Sequence, residues 1–320
     1  MQKLIVLTGP TAVGKTDLSI QISKELNGEI ISADSAQVYK YLNIGSAKVT
    51  KEEMQGVPHH LIDLYEPDFS FDVTVFKKEA MRLVSEIASR GHMPILVGGT
   101  GFYIQALLYD ISFGDEQLEK SDYRARLEDD AKKYGASALH ERLKQIDPVS
   151  AEMIHENNVR KVIRALEYYH FHKEPISKHN QEERQKKPAF DSRYFVLTMD
   201  RDRLYKRIDQ RVDIMKEAGL VEEVTSLRSM GYGSHLTSMQ AIGYKEIYAA
   251  LDLCENNGYY IGSSEYDQAL ENAFNQIKLN TRHFAKRQLT WFRREKDVIW
   301  LDKDQMTDEE IVEFIKNSIK

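Results

Sequence analysis

Eight residues near the amino terminus have the spacing of a phosphate-binding loop. Residues 9–16 match G-x-x-x-x-G-K-[ST] at every fixed position, between a strand-like run and a helix-like run. Glycines let such a loop wrap its N–H groups around phosphate oxygens, and the N-terminus of the following helix favours negative charge. Lysine adds a positive charge, and the threonine hydroxyl can hold a magnesium ion or donate to a phosphoryl oxygen. The predicted phosphate-binding residues are Gly9, Pro10, Thr11, Ala12, Val13, Gly14, Lys15 and Thr16.

A carboxylate follows the second strand-like run. Asp34 comes directly after residues 29–33, and open α/β sheets bind their ligands at the carboxyl ends of strands. We therefore expect Asp34 to face the phosphate loop. Three roles suit this position: a magnesium ligand, a catalytic base, and a turn cap without chemistry. Position alone does not choose among them.

Other chemically capable side chains form weaker patterns. Residues 98–101, Gly-Gly-Thr-Gly, fit close approach to a ligand and a tight strand-to-helix turn equally well, and they lack dinucleotide-site spacing. Arg207 and Arg211 lie one helical turn apart and can clamp a diphosphate together. The basic segment 281–294 fits a nucleic-acid surface, although a solvated helix face is the commoner explanation. His59 and His60 lack the spaced partners of a zinc site, so we assign them a structural or substrate-lining role.

Alternating strand-like and helix-like runs predict the fold class. Strands are expected at 3–8, 29–33, 94–97, 194–197 and 298–301, with helices at 15–26 and 73–90. This order predicts an α/β fold with a parallel sheet flanked by helices, as in phosphate-loop NTPases. Between them, the charged segment 115–192 has helical periodicity, so we predict an inserted all-helical domain. The predicted catalytic core is therefore discontinuous, at 1–114 and 193–320.

Composition narrows the function classes. The 320 residues carry a net charge of −6, so nucleic acid would have to bind at local basic patches. A single cysteine excludes an intrachain disulfide and a cysteine-based zinc cluster. No apolar run approaches the roughly 20 residues that span a bilayer, so we expect no membrane association and a cytoplasmic location. No obligatory protein partner is evident.

Taken together, the sequence blocks resemble the tRNA dimethylallyltransferase family. The blocks are GPTAVGKT at 9–16, ISADSAQVYK at 31–40, GVPHHLID at 56–63, ILVGGTGFY at 95–103, RALE at 164–167, RVDIM and GLVEEV within 211–224, QAIGYKE at 240–246 and AKRQLTWFR at 285–293. A phosphate loop alone would not be specific, because kinases and other nucleotide-binding or ATP-binding proteins share it. So many blocks in one order are specific.

The resemblance implies a reaction and its site. Dimethylallyl diphosphate would lie in the phosphate loop, where Lys15, Thr16 and Arg211 hold the leaving diphosphate and Mg²⁺ assists through Thr16. Asp34 would be the catalytic base for the N6 amine of the adenosine on the 3′ side of the anticodon. The helical insertion would grip the anticodon stem-loop of tRNA. The implied tRNA-binding residues are Asp34, Ser35, Ala36, Gln37, Thr100, Asp122, Arg160, Lys161, Arg164, Gln240, Gly243, Tyr244 and Lys245.

Some positions depart from the family pattern, and one other enzyme class competes. Val13 replaces a usual serine, Ser46 and Val49 interrupt a GTAKP-like segment, and Asn158 and Lys161 replace Asp and Arg. Because lysine does not replace arginine equivalently, the last change weakens the residue-level tRNA assignment in the insertion. The alternative is an ATP-dependent small-molecule or nucleotide kinase, whose lid would supply arginines to the transferred phosphoryl group. A non-catalytic RNA-binding module is a third hypothesis, under which Asp34 would be dispensable.

Overall fold

A computed structural model describes residues 1–113, 122–183 and 185–319. The chain divides into two compact units, Met1–Leu108 with Phe190–Lys320, and Tyr109–Ala189. The division between these units falls near residues 108 and 190, close to the boundaries at 114 and 193 that we expect from the sequence. Among the described residues, none of the helices is both long enough and apolar enough to cross a bilayer.

One parallel sheet organises the first unit. Within the described residues its six strands follow the order β3-β2-β4-β1-β5-β6. They are β1 Lys3–Thr8, β2 Gly28–Ala33, β3 His59–His60, β4 Met93–Gly98, β5 Asp191–Thr198 and β6 Val298–Asp302. The central strands are buried almost throughout, as expected where helices cover both faces. The predicted α/β class with a parallel sheet is confirmed; β3 is the strand that the sequence did not predict outright.

Helices flank this sheet and complete the core. They are α1 Lys15–Leu26, α2 Val73–Ser89, α3 Gly101–Leu108, α9 Arg201–Glu217, α10 Leu220–Ser229, α11 Tyr244–Asn257, α12 Ser264–Phe292 and α13 Asp308–Ile319. The main apolar cluster joins Leu7 of β1 and Phe195 of β5 to Leu18 of α1, Ile208 of α9 and Ile311 of α13. Burial of this cluster fixes α1 and α9 beside the first strand, and both carry residues of the site.

The second unit is helical throughout its described secondary structure. Its helices are α4 Asp122–Tyr134, α5 Ala136–Ile146, α6 Pro148–Met153, α7 Val159–His172 and α8 Ile176–Glu183. One face of α7, including Val162 and Leu166, packs against Leu127, Leu139 and Leu143. The predicted all-helical insertion is confirmed, and its core is separate from that of the sheet.

A buried carboxylate binds three basic side chains at the amino end of β2. Glu29, whose side chain is 5% exposed, accepts hydrogen bonds from Arg90 at 2.8 and 2.9 Å. His60 and His92 each place a ring nitrogen 2.6 Å from this carboxylate. Despite burial, which acts to raise it, these bonds lower the pKa of Glu29 to about 2. His60 therefore has a structural role, which was one of the two roles expected from the sequence.

We predict that Glu29→Gln lowers the free energy of unfolding at pH 7 by about 2–3 kcal/mol, because the cluster loses its anion. Since the folded-state pKa lies below the ordinary value of 4.5, this contribution is complete above about pH 4.5 and disappears as the pH falls towards 2. Denaturant unfolding of both proteins across this range measures the difference. Glu25→Gln, which breaks an exposed pair with Lys316, is the matched control and should change little. An equal deficit at pH 7 and pH 3 would contradict the prediction.

Candidate active site

The phosphate loop runs from the end of β1 into the first turn of α1. Three of its residues have positive φ angles: Gly9 at 146°, Ala12 at 64° and Gly14 at 95°. A Cβ atom at Gly9 would lie 2.6 Å from the carbonyl oxygen of Leu197, so only glycine fits there. Gly14 is the N-cap of α1, where helical N–H groups are available to an anion.

Two basic side chains and one carboxylate surround this loop. Lys15 curls over it and donates from Nζ to the carbonyl oxygens of Gly9 at 2.9 Å and Pro10 at 2.8 Å. Burial, and then the nearby charge of Arg211, lower the pKa of Lys15 to about 7, while Asp34 acts to raise it. Burial also lowers the pKa of Arg211, and Asp34 again opposes the change. Lys15, Arg211 and Asp34 are therefore electrostatic neighbours.

A further arginine holds the loop from outside. Arg207, one turn before Arg211 on α9, donates from Nε to the carbonyl oxygen of Ala12 at 2.8 Å. This bond fixes the residue with the left-handed backbone in the middle of the loop. The two arginines thus differ in their contacts: Arg207 supports the loop backbone, whereas Arg211 is the one that acts electrostatically on Lys15 and Asp34.

Asp34 caps the turn that follows β2. Its Oδ1 accepts hydrogen bonds from the backbone N–H groups of Ala36 at 2.8 Å and Gln37 at 3.2 Å. Within the described residues, the other carboxylate oxygen, Oδ2, has no hydrogen bond. The turn-cap role is thus observed, and it occupies one oxygen only. A second role as a base remains chemically open to the other oxygen.

The side chain of Gln37 is oriented by a neighbouring loop. Its amide nitrogen donates to the carbonyl oxygens of Ser46 at 3.3 Å and Ala47 at 3.1 Å. Glu223 of α10 holds the preceding part of that loop, since its carboxylate accepts from the N–H groups of Asn43, Ile44 and Gly45. With its nitrogen engaged, Gln37 presents its amide oxygen as an acceptor.

The glycine-rich turn after β4 packs against the neighbouring strands. A Cβ atom at Gly98 would lie 2.3 Å from the carbonyl oxygen of Ala33, and Thr8 donates from its hydroxyl to the carbonyl of Gly98 at 2.6 Å. The N–H of Thr100 in turn donates to Ala33 at 3.3 Å. Backbone packing therefore accounts for Gly98. The same packing brings Thr100 to the residue that precedes Asp34.

Residues 240–245 divide between surface and core. Gln240 is exposed at the end of a 3-10 turn, and Lys245 is partly exposed at the start of α11. Tyr244 is 0% exposed, packs its ring against Gly45, and donates from its hydroxyl to Glu223 at 2.7 Å. Gly243 is also buried, with a φ of 102°. Tyr244 and Gly243 therefore have a structural role, and the tRNA contact expected of them from the sequence stays a prediction.

Exposed cations gather on two helices. In α7 of the helical unit, Arg160, Lys161 and Arg164 lie on the exposed face, and Asp122 is exposed at the start of α4. One face of α12, together with Arg294 just after it, lines an open groove of about 490 Å³. The lining residues are His283, Lys286, Arg287, Thr290, Trp291 and Arg294. Lys286, Arg287 and Arg294 are exposed, so these basic groups are available to a polyanion.

Comparison with known proteins identifies the family. A model of the family described as IPP transferase matches residues 37–295. The chain is 53% identical to a tRNA dimethylallyltransferase of Lachnoclostridium phytofermentans over 318 residues, 99% of this chain and 97% of that protein. A tRNA dimethylallyltransferase of Acetivibrio thermocellus is 46% identical over 99% of this chain and 97% of its own. The chain belongs to the tRNA dimethylallyltransferase family.

Solved structures of similar proteins share the fold. A full-length tRNA isopentenylpyrophosphate transferase from Bacillus halodurans is 45% identical, with a TM-score of 0.70 over 99% of this chain and 96% of that one. A eukaryotic dimethylallyltransferase acting on tRNA is 28% identical, with a TM-score of 0.82 over 99% of this chain and 80% of that one. The family resemblance inferred from the motifs is thereby confirmed.

Two polar residues that organise the site were not singled out from the sequence, although both lie in family motifs. Glu223 belongs to GLVEEV and binds the loop beside Gln37; Gln288 belongs to AKRQLTWFR and binds the phosphate loop. Each contact joins residues more than 170 positions apart. For Gln288, the sequence does contain a signal that could have identified it: an uncharged polar residue within an otherwise apolar stripe of a helix.

We predict that Lys15 makes pyrophosphate binding depend on pH. Its pKa of about 7 in the free protein must rise when an anion binds, so its contribution is complete below pH 7 and is lost as the pH rises further. The slope is at most about tenfold in affinity per pH unit. Calorimetric titration between pH 6.5 and 9 should show this component in the wild type and not in Lys15→Met. Lys24→Met, on the exposed end of α1, is the control. Equal pH slopes for wild type and Lys15→Met would refute the assignment.

Proposed function

We propose that the protein transfers a dimethylallyl group from dimethylallyl diphosphate to the N6 amine of the adenosine 3′-adjacent to the anticodon in tRNA, releasing diphosphate. The observation that carries this proposal is the arrangement of a phosphate loop and two cations beside the carboxylate Asp34. A diphosphate leaving group requires the phosphate loop and the cations, and a weakly nucleophilic amine benefits from the carboxylate. The named activities of the relatives agree with this chemistry.

The leaving group defines one half of the proposed site. When the bond between the allylic carbon and the diphosphate oxygen breaks, negative charge grows on the oxygen. Lys15 and the N–H groups of the phosphate loop are suited to stabilise it, because hydrogen bonds from Lys15 and Arg207 to loop carbonyls hold the loop before the reaction. Arg211 adds a positive charge near Lys15. Lys15 would exchange its bonds to the carbonyls of Gly9 and Pro10 for bonds to the diphosphate.

The acceptor amine defines the other half. The lone pair of N6 is delocalised into the adenine ring, so attack on the allylic carbon is assisted by removal of an N6 proton. Asp34 would accept that proton on Oδ2 while Oδ1 keeps the turn in place. One C–O bond breaks, one N–C bond forms, and the proton passes to the carboxylate. Charge and atoms therefore balance without a further reactant.

The residues present suit a magnesium ion as a cofactor. No group of three or more His, Cys, Asp or Glu side chains suitable for a metal occurs in the described residues. Mg²⁺ nevertheless often needs only one or two protein ligands when phosphate oxygens supply others. Thr16 is exposed at the start of α1 and would be the protein ligand. The ion would supply positive charge to the leaving diphosphate.

Recognition of tRNA requires both an extruded base and a grip on the phosphate backbone. A stacked adenine cannot reach the loops of the sheet edge, so it must be flipped out of its stack. We assign the turn Asp34–Gln37, Thr100 and Gln240 to the base and its neighbours, with the amide oxygen of Gln37 suited to accept from an amine. The helical unit, through Arg160, Lys161 and Arg164, and the α12 groove are suited to the anticodon stem-loop.

The reaction itself is the first test. The protein is incubated with Mg²⁺, dimethylallyl diphosphate and an unmodified tRNA bearing adenosine 3′ of its anticodon, and the digested nucleosides are analysed by mass. We expect N6-dimethylallyladenosine at that position. A tRNA with guanosine there is the matched control and should remain unmodified. Absence of product together with turnover of ATP on a small acceptor would support the kinase hypothesis instead.

Two variants of Asp34 separate its roles. Asp34→Asn keeps an oxygen for the N–H groups of Ala36 and Gln37 but removes the base, so we expect normal folding and tRNA binding with a loss of about 10²–10⁴ in kcat. Asp34→Ala should lose the cap as well, and with it some thermal stability. Single-turnover product formation and tRNA gel shifts measure these effects. Wild-type turnover in Asp34→Asn would exclude Asp34 as the base and favour a capping role alone.

A further inference from the structure

Gln288 bonds two loops of the site at once. This side chain of α12 is 6% exposed. Its amide oxygen accepts from the N–H of Thr11 in the phosphate loop at 2.9 Å, and its amide nitrogen donates to the carbonyl oxygen of Gly99 at 3.0 Å. Both ends of one amide are thus engaged, each by a loop that follows a different strand.

The neighbouring residues are shaped around this contact. A Cβ atom at Gly99 would lie 2.1 Å from the amide nitrogen of Gln288, so the amide fills the space that any other side chain would need. Nearly one turn further along α12, Trp291 packs against Gly101, where a Cβ atom would lie 2.2 Å from the indole ring. Glycines at 99 and 101 therefore admit the side chains of α12 to the turn. The sequence had left tight turn and ligand approach open as explanations of these glycines.

Further backbone contacts connect Gln288 to the segment that carries the carboxylate of Asp34. From Gly99 the chain passes to Thr100, whose N–H donates to Ala33, the residue before Asp34. A short bonded path therefore joins Thr11 in the phosphate loop, through Gln288 and the glycine turn, to the backbone that carries Asp34. These hydrogen bonds would resist separation of the diphosphate-binding loop from the carboxylate.

We propose that Gln288 is a positioning residue that fixes the distance between the diphosphate and the base during prenyl transfer. The role in prenyl transfer rests on the proposed function, whereas the contact of Gln288 with the two loops does not. Gln288 would touch neither reacting group and would act through Thr11 and Gly99. Its loss should lower kcat more than it weakens diphosphate binding, because the ground-state contacts of the anion are made by other residues.

The chemistry of the contact explains why an amide is required. One side of the side chain must accept a hydrogen bond and the other must donate one, and a neutral planar amide does both. An ionised glutamate would accept from Thr11 but would place an anionic oxygen against the carbonyl of Gly99. A protonated glutamic acid restores the donor, and burial raises the pKa of such a group towards neutrality. A methionine supplies neither bond.

These differences yield a pH-dependent test. Gln288→Glu and Gln288→Met are compared with the wild type and with Gln276→Glu, a control at an exposed glutamine of the same helix. At pH 8 we expect both Gln288 variants to lose about 10–100-fold in kcat, the equivalent of one or two unsatisfied buried groups. Pyrophosphate affinity should change less than about threefold. As the pH falls from 8 to 6, the kcat of Gln288→Glu relative to wild type should recover, while that of Gln288→Met stays low.

Three results would overturn the inference. Wild-type kcat in a folded Gln288→Met would show that the contact is dispensable, and a pH-independent ratio for Gln288→Glu would indicate packing alone. Hydrogen exchange at the Thr11 amide provides a readout that does not depend on the reaction: it should be slow in the wild type and fast in Gln288→Met. Failure of the wild type to modify tRNA would reject the proposed function, whereas unchanged Thr11 exchange would reject the contact.

Discussion

The presence of two partly buried cations near one carboxylate is the constraint on which the site depends. Lys15 and Arg211 repel each other, and the negative charge of Asp34 only partly offsets this repulsion. Such an arrangement is costly in the empty protein, and an anion with several charges relieves the cost when it binds. Packing and hydrogen bonds must hold these groups together until then. The bonds of Lys15 and Arg207 to loop carbonyls do part of this.

The parallel sheet makes this arrangement geometrically possible. The strands β2, β4 and β1 are adjacent in that order, so the loops that follow them meet at one edge. The phosphate loop, the glycine turn and Asp34 belong to these three loops. The close backbone approach at Gly98 and the two hydrogen bonds of Gln288 then bring these three loops closer together. Position in the sheet thus brings the chemistry together, and long-range side-chain contacts refine it.

Local patterns made most of this site predictable from the sequence, whereas contacts between distant segments were not. The phosphate loop and Asp34 could be placed because each follows a recognisable strand. Tyr244 could not, since its burial against Gly45 depends on how α11 packs on a loop 199 residues earlier. The same applies to Glu223 and Gln288, whose partners lie far away in the chain. Helical periodicity shows that a residue faces inward, but it does not show which backbone group it meets.

The two ends of β2 differ in how far their charged side chains are neutralised by neighbouring residues. At the amino end, Glu29 is bonded to Arg90, His60 and His92, and these bonds outweigh burial and lower its pKa to about 2. At the carboxyl end, Asp34 lies near two cations whose pKa values are lowered chiefly by burial, a change that Asp34 opposes only in part. A compensated cluster stabilises the fold and has no need of a ligand, whereas an uncompensated one is satisfied only by a bound anion.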